Sequence, residues 1–175
     1  MRALAVVCAS ILLFAVSRLS GAADSAVTAR ASLATAIAAA QKWQPDAVLT
    51  GVSTMRASQD GRAASWDYMF HSPKAGKACT FTFAGDRLAD QLEVRPHMTD
   101  RVLATFVDSP AAATAAKANG VDSKGQPLVM SLLVMGQSTK APGTFWSVSG
   151  GYTKGAVTAV VDAKTGKLAY KQEMP

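Results

Sequence analysis

Apolar residues along this chain recur first at helical spacing and then in strict alternation, and that order occurs twice. The first helical stretch is "DSAVTARASLATAIAAAQKWQP". Asp24-Ser25 offers N-cap chemistry, Leu33, Ile37 and Ala40 share one face, and Pro45 ends the pattern. "DAVLTGVSTMR" and "ASWDYMF" follow as strands, the latter placing Trp66, Tyr68 and Phe70 on one face. In "ACTFTFAGDRLADQLEV", Cys79, Phe81 and Phe83 alternate in the same way before a hairpin.

The second copy opens at Asp108-Ser109, with Pro110 suited to the first helical position and Asn119-Gly120 as the stop. Just before it, Leu103, Phe106 and Val107 fit a helical turn, with a strand as the alternative. Pro127 leads into "LVMSLLVMG", then "TFWSVSGGY" and "AVTAVVDAKTGKLAYKQE". Trp66 aligns with Trp146 and Leu88 with Leu168, each 80 residues apart, while Thr80 aligns with Thr158 at 78. The second hairpin loop is therefore two residues longer. Each copy reads as helix, strand, strand, hairpin. The expected fold class is α+β: two helix-plus-antiparallel-sheet units, 24–97 and 98–175, each helix packed on one face of its own sheet. Two such small units gain by packing together.

The N-terminus changes the picture of where the chain works. Arg2 precedes an apolar run, Ala3 to Val16, broken only by Cys8 and Ser10, and small residues follow at Ser20, Gly21, Ala22 and Ala23. That is the layout of a secretory signal peptide over residues 1–23, cleaved near Ala22–Asp24. The apolar run is shorter than the ~20 residues a membrane span needs. Cys8 lies near the start of the run, behind Val6 and Val7, which does not suit a lipidation site. The expected location is periplasmic or secreted, with no integral membrane segment after cleavage.

Charge and cysteine content exclude more than they suggest. The chain has 18 basic and 12 acidic residues; without Arg2 and Arg18 the balance is 16 to 12. The basic residues are spread along the chain in no run, which gives a nucleic-acid role no support. With Cys8 removed, Cys79 stands alone, and its place in an apolar alternation makes it a buried structural thiol.

The stretch with most motif character is "VVDAKTGKLAY", Val160 to Tyr170. A helix, strands and a final hairpin of the form V-D-A-x-T-G-x-L resemble the PepSY domain family. The likeness is good over Pro110 to Glu173 and weaker over Ser25 to Val94, where the first copy lacks the Asp-x-x-x-Gly turn. The resemblance implies a small secreted or membrane-tethered module, related to the propeptide of thermolysin-type metalloproteases, that inhibits a protease or binds a protein partner. Read from its residues, the turn is a structural corner. Asp162 can accept from loop N–H groups, Gly166 supplies the positive φ that closes it, and Lys164 and Lys167 point to solvent.

Catalytic templates do not fit. "KTG" has no S-x-x-K companion, and no G-x-S-x-G elbow occurs. His71 and His97 lie 26 residues apart, with no H-E-x-x-H or C-x-x-C partner, so neither metal nor cofactor is expected. The methionines show no ligand spacing and read as core filling. Asp86, Asp90 and Glu93 read as a solvated hairpin edge. Two polar loops, "FHSPKAGKA" and "GGYTKGA", stand near aromatics and make a candidate partner or ligand surface of Trp66, Phe70, His71, Lys74, Trp146, Tyr152 and Lys154. The leading expectation is a non-catalytic binding or inhibitory protein acting on an envelope or secreted protein. The alternative is a small-ligand carrier with a cleft between the units lined by Trp66, Trp146 and Tyr152. N-terminal sequencing of the exported protein is expected to begin at Ala23 or Asp24; an intact Met1 on membrane-bound protein would refute the cleaved leader.

Overall fold

The computed structural model describes residues 26–135, 143–151 and 154–173. The first half contains α1 (Leu33–Trp43), β1 (Val48–Ala57), β2 (Ser65–Ser72), β3 (Lys77–Ala84) and β4 (Arg87–Val94). The second contains α2 (Ser109–Ala118), β5 (Leu128–Met135), β6 (Gly143–Ser149), β7 (Val157–Asp162) and β8 (Leu168–Glu173). Every strand belongs to one antiparallel sheet in the order β4-β3-β2-β1-β5-β6-β7-β8. Each half is a four-strand meander, and the two meet where β1 pairs with β5.

This corrects the expected α+β tandem of PepSY-like units, each with its own sheet. The protein is mostly one continuous sheet, with two short helices on one side of it. The reason lies in the edges. An unpaired strand exposes a row of backbone N–H and C=O groups, and β1 and β5 would be such edges in two separate units. Pairing them removes both. The edges that remain are β4 and β8, almost wholly exposed and carrying Arg87, Asp90, Glu93, Lys171 and Glu173, charges that discourage further strand addition.

Both helices cover the same face. Phe81, Tyr68, Val52, Leu132, Trp146 and Val161 are successive register partners across six strands, and all are buried in one core. Ala36 and Ala40 of α1 and Ala112, Ala113 and Ala116 of α2 press onto this row with no exposed surface. Alanine suits both tasks, since it favours helix and lets the helix lie close to large aromatic partners. Ile37, expected on the buried face of α1, is 37% exposed; Leu33, Ala36 and Ala40 form that face instead. Cys79 is fully buried in the same core, and burial, helped by the Glu93 charge, pushes its thiol pKa up.

Two stretches expected to be helical are tethers instead. Residues 26–32 precede α1, and Val27 forms a bridge with Ala63. The Leu103–Val107 stretch is an irregular link with a bend at Ala104-Thr105, held by Val102 N–H on Leu49 O and Val107 N–H on Ala163 O. The two tethers meet over the middle of the sheet. Ala29 N–H donates to Ser109 Oγ at 3.0 Å, and Asp108 Oδ1 accepts from both Arg30 N–H and Ser109 N–H. Beneath them, Trp66 and Trp146 meet edge to face at 6.2 Å. Each indole N–H donates to a tether carbonyl 39 residues away, Trp66 to Val27 and Trp146 to Val107. Tyr68 donates likewise to Ala29 O.

Ser109→Ala removes the acceptor of a fully buried N–H, that of Ala29. We expect a loss of about 1–3 kcal/mol in denaturant unfolding, the cost of an unsatisfied buried donor. A loss below about 0.5 kcal/mol would mean the junction does not hold the halves together.

Candidate functional site

The strand alternation that sends aromatics to the helices sends a different set of side chains to the opposite face. Register partners run across all eight strands there: Asp90, Thr82, Asp67, Ser53, Ser131, Ser147, Val160 and Tyr170. The neighbouring row is more apolar, from Leu92 through Thr80, Met69, Gly51 and Leu133 to Phe145. Among the described residues, no helix or strand lies over the middle of these rows. Ser53, Asp67, Met69, Thr80, Thr82, Ser131, Leu133 and Ser147 remain partly exposed.

Local contacts tie the side chains of this face together. Thr82 Oγ1 donates to Asp67 Oδ1 at 2.6 Å. Gly51 leaves room for its neighbour: a Cβ there would lie 2.7 Å from Met69 Cε, so the thioether rests across the central strand. At the β8 edge the Tyr170 hydroxyl donates to Met135 Sδ at 3.5 Å, three strands away, so the ring lies along the sheet. Leu92 and Met55 stay 59% and 58% exposed. The arrangement can offer small hydroxyl donors and acceptors between aliphatic surfaces, a chemistry of recognition.

The candidate residues from the sequence do not converge. Trp66, Phe70 and Trp146 are buried to within 1% and belong to the core under the helices. The space between the tryptophans is filled by their own contact, so they line no ligand cleft. His71 pairs with Ala78 on the open side, near the sheet's end, and its Nδ1 is buried without a hydrogen bond. Lys74 is exposed in the β2–β3 turn, where its N–H donates to Asp46 Oδ2; that bond, with the Ser72 hydroxyl, holds Asp46 below the usual carboxylate range against desolvation. Lys154 lies in another loop, at the rim of a cleft described below. Tyr152 lies outside the described residues. His71 and Cys79 sit on opposite faces, and among the described residues no three His, Cys, Asp or Glu side chains gather as a metal site. The row of serines and threonines was missed. Its signal was present in the phase opposite to the aromatics: Ser53, Asp67, Thr80, Thr82, Ser131 and Ser147.

The Asp162 turn sits at the end of β7. Asp162 Oδ1 accepts from Lys164 N–H, Thr165 N–H and Thr165 Oγ1, and Gly166, at φ +72°, donates its N–H to Asp162 O. Gly166 also faces Val107, the residue whose carbonyl receives the Trp146 indole. The turn thus braces the second tether.

No family model matches the chain, and no curated protein sequence matches it. Among solved structures, its fold is similar to that of a protein described as "a putative lipoprotein" from Clostridium difficile 630, with a TM-score of 0.57 and 12% identity over 86% of this chain and 97% of that one. At that identity the likeness is one of fold. Among the described residues, no helix is long and apolar enough to cross a membrane.

Three substitutions test the turn. Gly166→Ala is expected to cost about 1 kcal/mol through backbone strain, because the added Cβ meets nothing closer than 3.6 Å. Asp162→Ala is expected to cost about 1–2 kcal/mol at neutral pH by removing the charged acceptor of the loop hydrogen bonds, and Lys164→Ala less than about 0.5 kcal/mol. Desolvation opposes ionisation of Asp162, but the Thr165 and Lys164 hydrogen bonds outweigh it and hold its pKa below the ordinary value. A carboxylate lowered in the folded state stabilises above its unfolded pKa of about 3.9 and loses that contribution as pH falls through the folded value. The stability gap between wild type and Asp162→Ala should therefore narrow on acidification below about pH 4; a gap that stays constant would remove the carboxylate from the account.

Proposed function

We propose that this protein is a non-catalytic binding protein of the cell envelope or secreted space, and that it docks a protein partner on the open face of its sheet. One observation carries the reading: a row of small hydroxyl and aliphatic side chains crosses the sheet, and its middle has no helix or strand over it among the described residues. The partly exposed positions lie mainly on β1, β2, β3 and β5, whereas Phe145 and Val160 of the same rows are buried towards β6 and β7. The N-terminal leader pattern supports export, and the lipoprotein description of the similar fold points the same way. The lack of catalytic motifs in the sequence supports binding over turnover.

The test places charge on the face without touching the core. Tagged wild type is expected to recover a partner from envelope extract, whereas Ser131→Arg and Ser53→Arg lose it with unchanged thermal stability. Lys42→Glu, on the far side of the molecule, should retain it. Retention by both arginine variants, or recovery of nothing above a tag-only control at native concentration, would overturn the proposal.

A further inference from the structure

A second feature lies away from the open face, at the end of the sheet where three loops converge. A cleft of about 620 Å³ is bounded by Met55 and Arg56 at the end of β1, by the α2–β5 connection from Gly120 to Pro127, and by the β6–β7 hairpin at Gly150, Gly151 and Lys154–Val157. Its charge is one-sided. Arg56, Lys124 and Lys154 line it against a single carboxylate, Asp122, and Asp122 Oδ1 already accepts the Lys124 N–H. Among the described residues, none of the three cationic groups has a hydrogen bond or ion pair. Side chains that had only to stay soluble would not need to share one concavity.

The walls are built. Gly150 lies so close to the α2–β5 connection that a Cβ would come within 2.4 Å of Asp122 O, which fixes one loop against the other. Gln59 Nε2 donates to Gln126 O at 2.9 Å and to Ser123 Oγ, tying in the β1–β2 loop. The Lys124 turn is closed by Gln126 N–H on Ser123 O, with Lys124 at φ +48° and Gly125 at φ +81°. A bound anion would meet cations from three segments, and the braced α2–β5 connection among them would order little on binding.

We propose that this cleft binds a compact anion carrying two or more negative charges, of the phosphate or carboxylate class. The guanidinium of Arg56 can grip an oxyanion with two parallel N–H groups, and the two lysines add point charges around it. A simpler account is available: the cations could serve only to offset the negative end of α2, which terminates at Asn119-Gly120 beside the cleft. That account predicts lost stability and no ligand when they are neutralised. It is weakened by the cap, since Ala116 and Lys117 carbonyls already accept from Asn119, Gly120 and Val121 N–H groups.

Isothermal titration of the purified protein with pyrophosphate and, separately, citrate tests the assignment, with chloride at matched ionic strength as reference. Saturable one-to-one binding of at least one probe is expected, weakening as salt shortens the screening length. Arg56→Gln and Lys154→Gln should each weaken it by about tenfold, with the melting temperature unchanged and Lys42→Gln without effect. Pyrophosphate alone assigns phosphate chemistry and citrate alone carboxylate chemistry; either outcome supports the site. No saturable binding of either probe, binding indifferent to Arg56→Gln and Lys154→Gln, or a fall in melting temperature with no ligand effect would overturn it. Open-face partner binding is read by a different assay and stands or falls separately.

Discussion

Two indoles meeting over the central strands are the constraint on which the rest of this molecule depends. Trp66 and Trp146 are among the largest side chains in the protein, both fully buried, and each carries an N–H that must find an acceptor away from water. Each finds one in a tether, at Val27 and at Val107, and those tethers then bond to one another through Ala29, Arg30, Asp108 and Ser109. Satisfying two polar atoms at the bottom of the core thereby dictates the path of the chain above it. The Asp162 turn extends the same chain of dependence, since it packs against the residue that receives the Trp146 bond.

With the core fixed on one side, the residues in the opposite phase of each strand fall on the other side, where serines and threonines stand among Met69, Leu133 and Leu92. Gly51 shows the economy of this arrangement. A glycine in mid-strand ordinarily weakens a sheet, yet here it makes the space that Met69 occupies. The helices can be alanine-rich for a related reason: the large residues belong to the strands, so the helices need only be smooth.

Much of this architecture was legible in the sequence. Alternation located the aromatic strands because one face of each is buried, and Asp108, Pro110 and Gly120 marked α2 because caps are local chemistry. The joining of the sheets was not legible, since the β1–β5 pairing links residues far apart and has no local signature. The tether at 26–32 misled for the same reason. Its alanine-rich composition favours helix, but bonds to Ala63, Asp108 and Ser109 claim its backbone first. Candidate site residues suffered from a bias toward aromatics: tryptophan signals recognition when exposed and core when buried, and sequence alone does not say which. The serines and threonines of the open face were equally readable as the polar half of the alternation, but single hydroxyls carry no motif.

The β1–β5 pairing also sets the order in which the chain can acquire its structure. Each meander consists of neighbouring hairpins that close over short loops, a fast and local process. The seam between them joins Val52 to Leu132 and cannot form until both halves exist. During synthesis the first half waits with β1 unpaired along one side, a strand whose only charged side chain is Arg56. The outer strands are guarded by charge and this one is not, because in the finished protein it is never an edge. A newly made chain is therefore most prone to aggregate in the interval before its second half arrives.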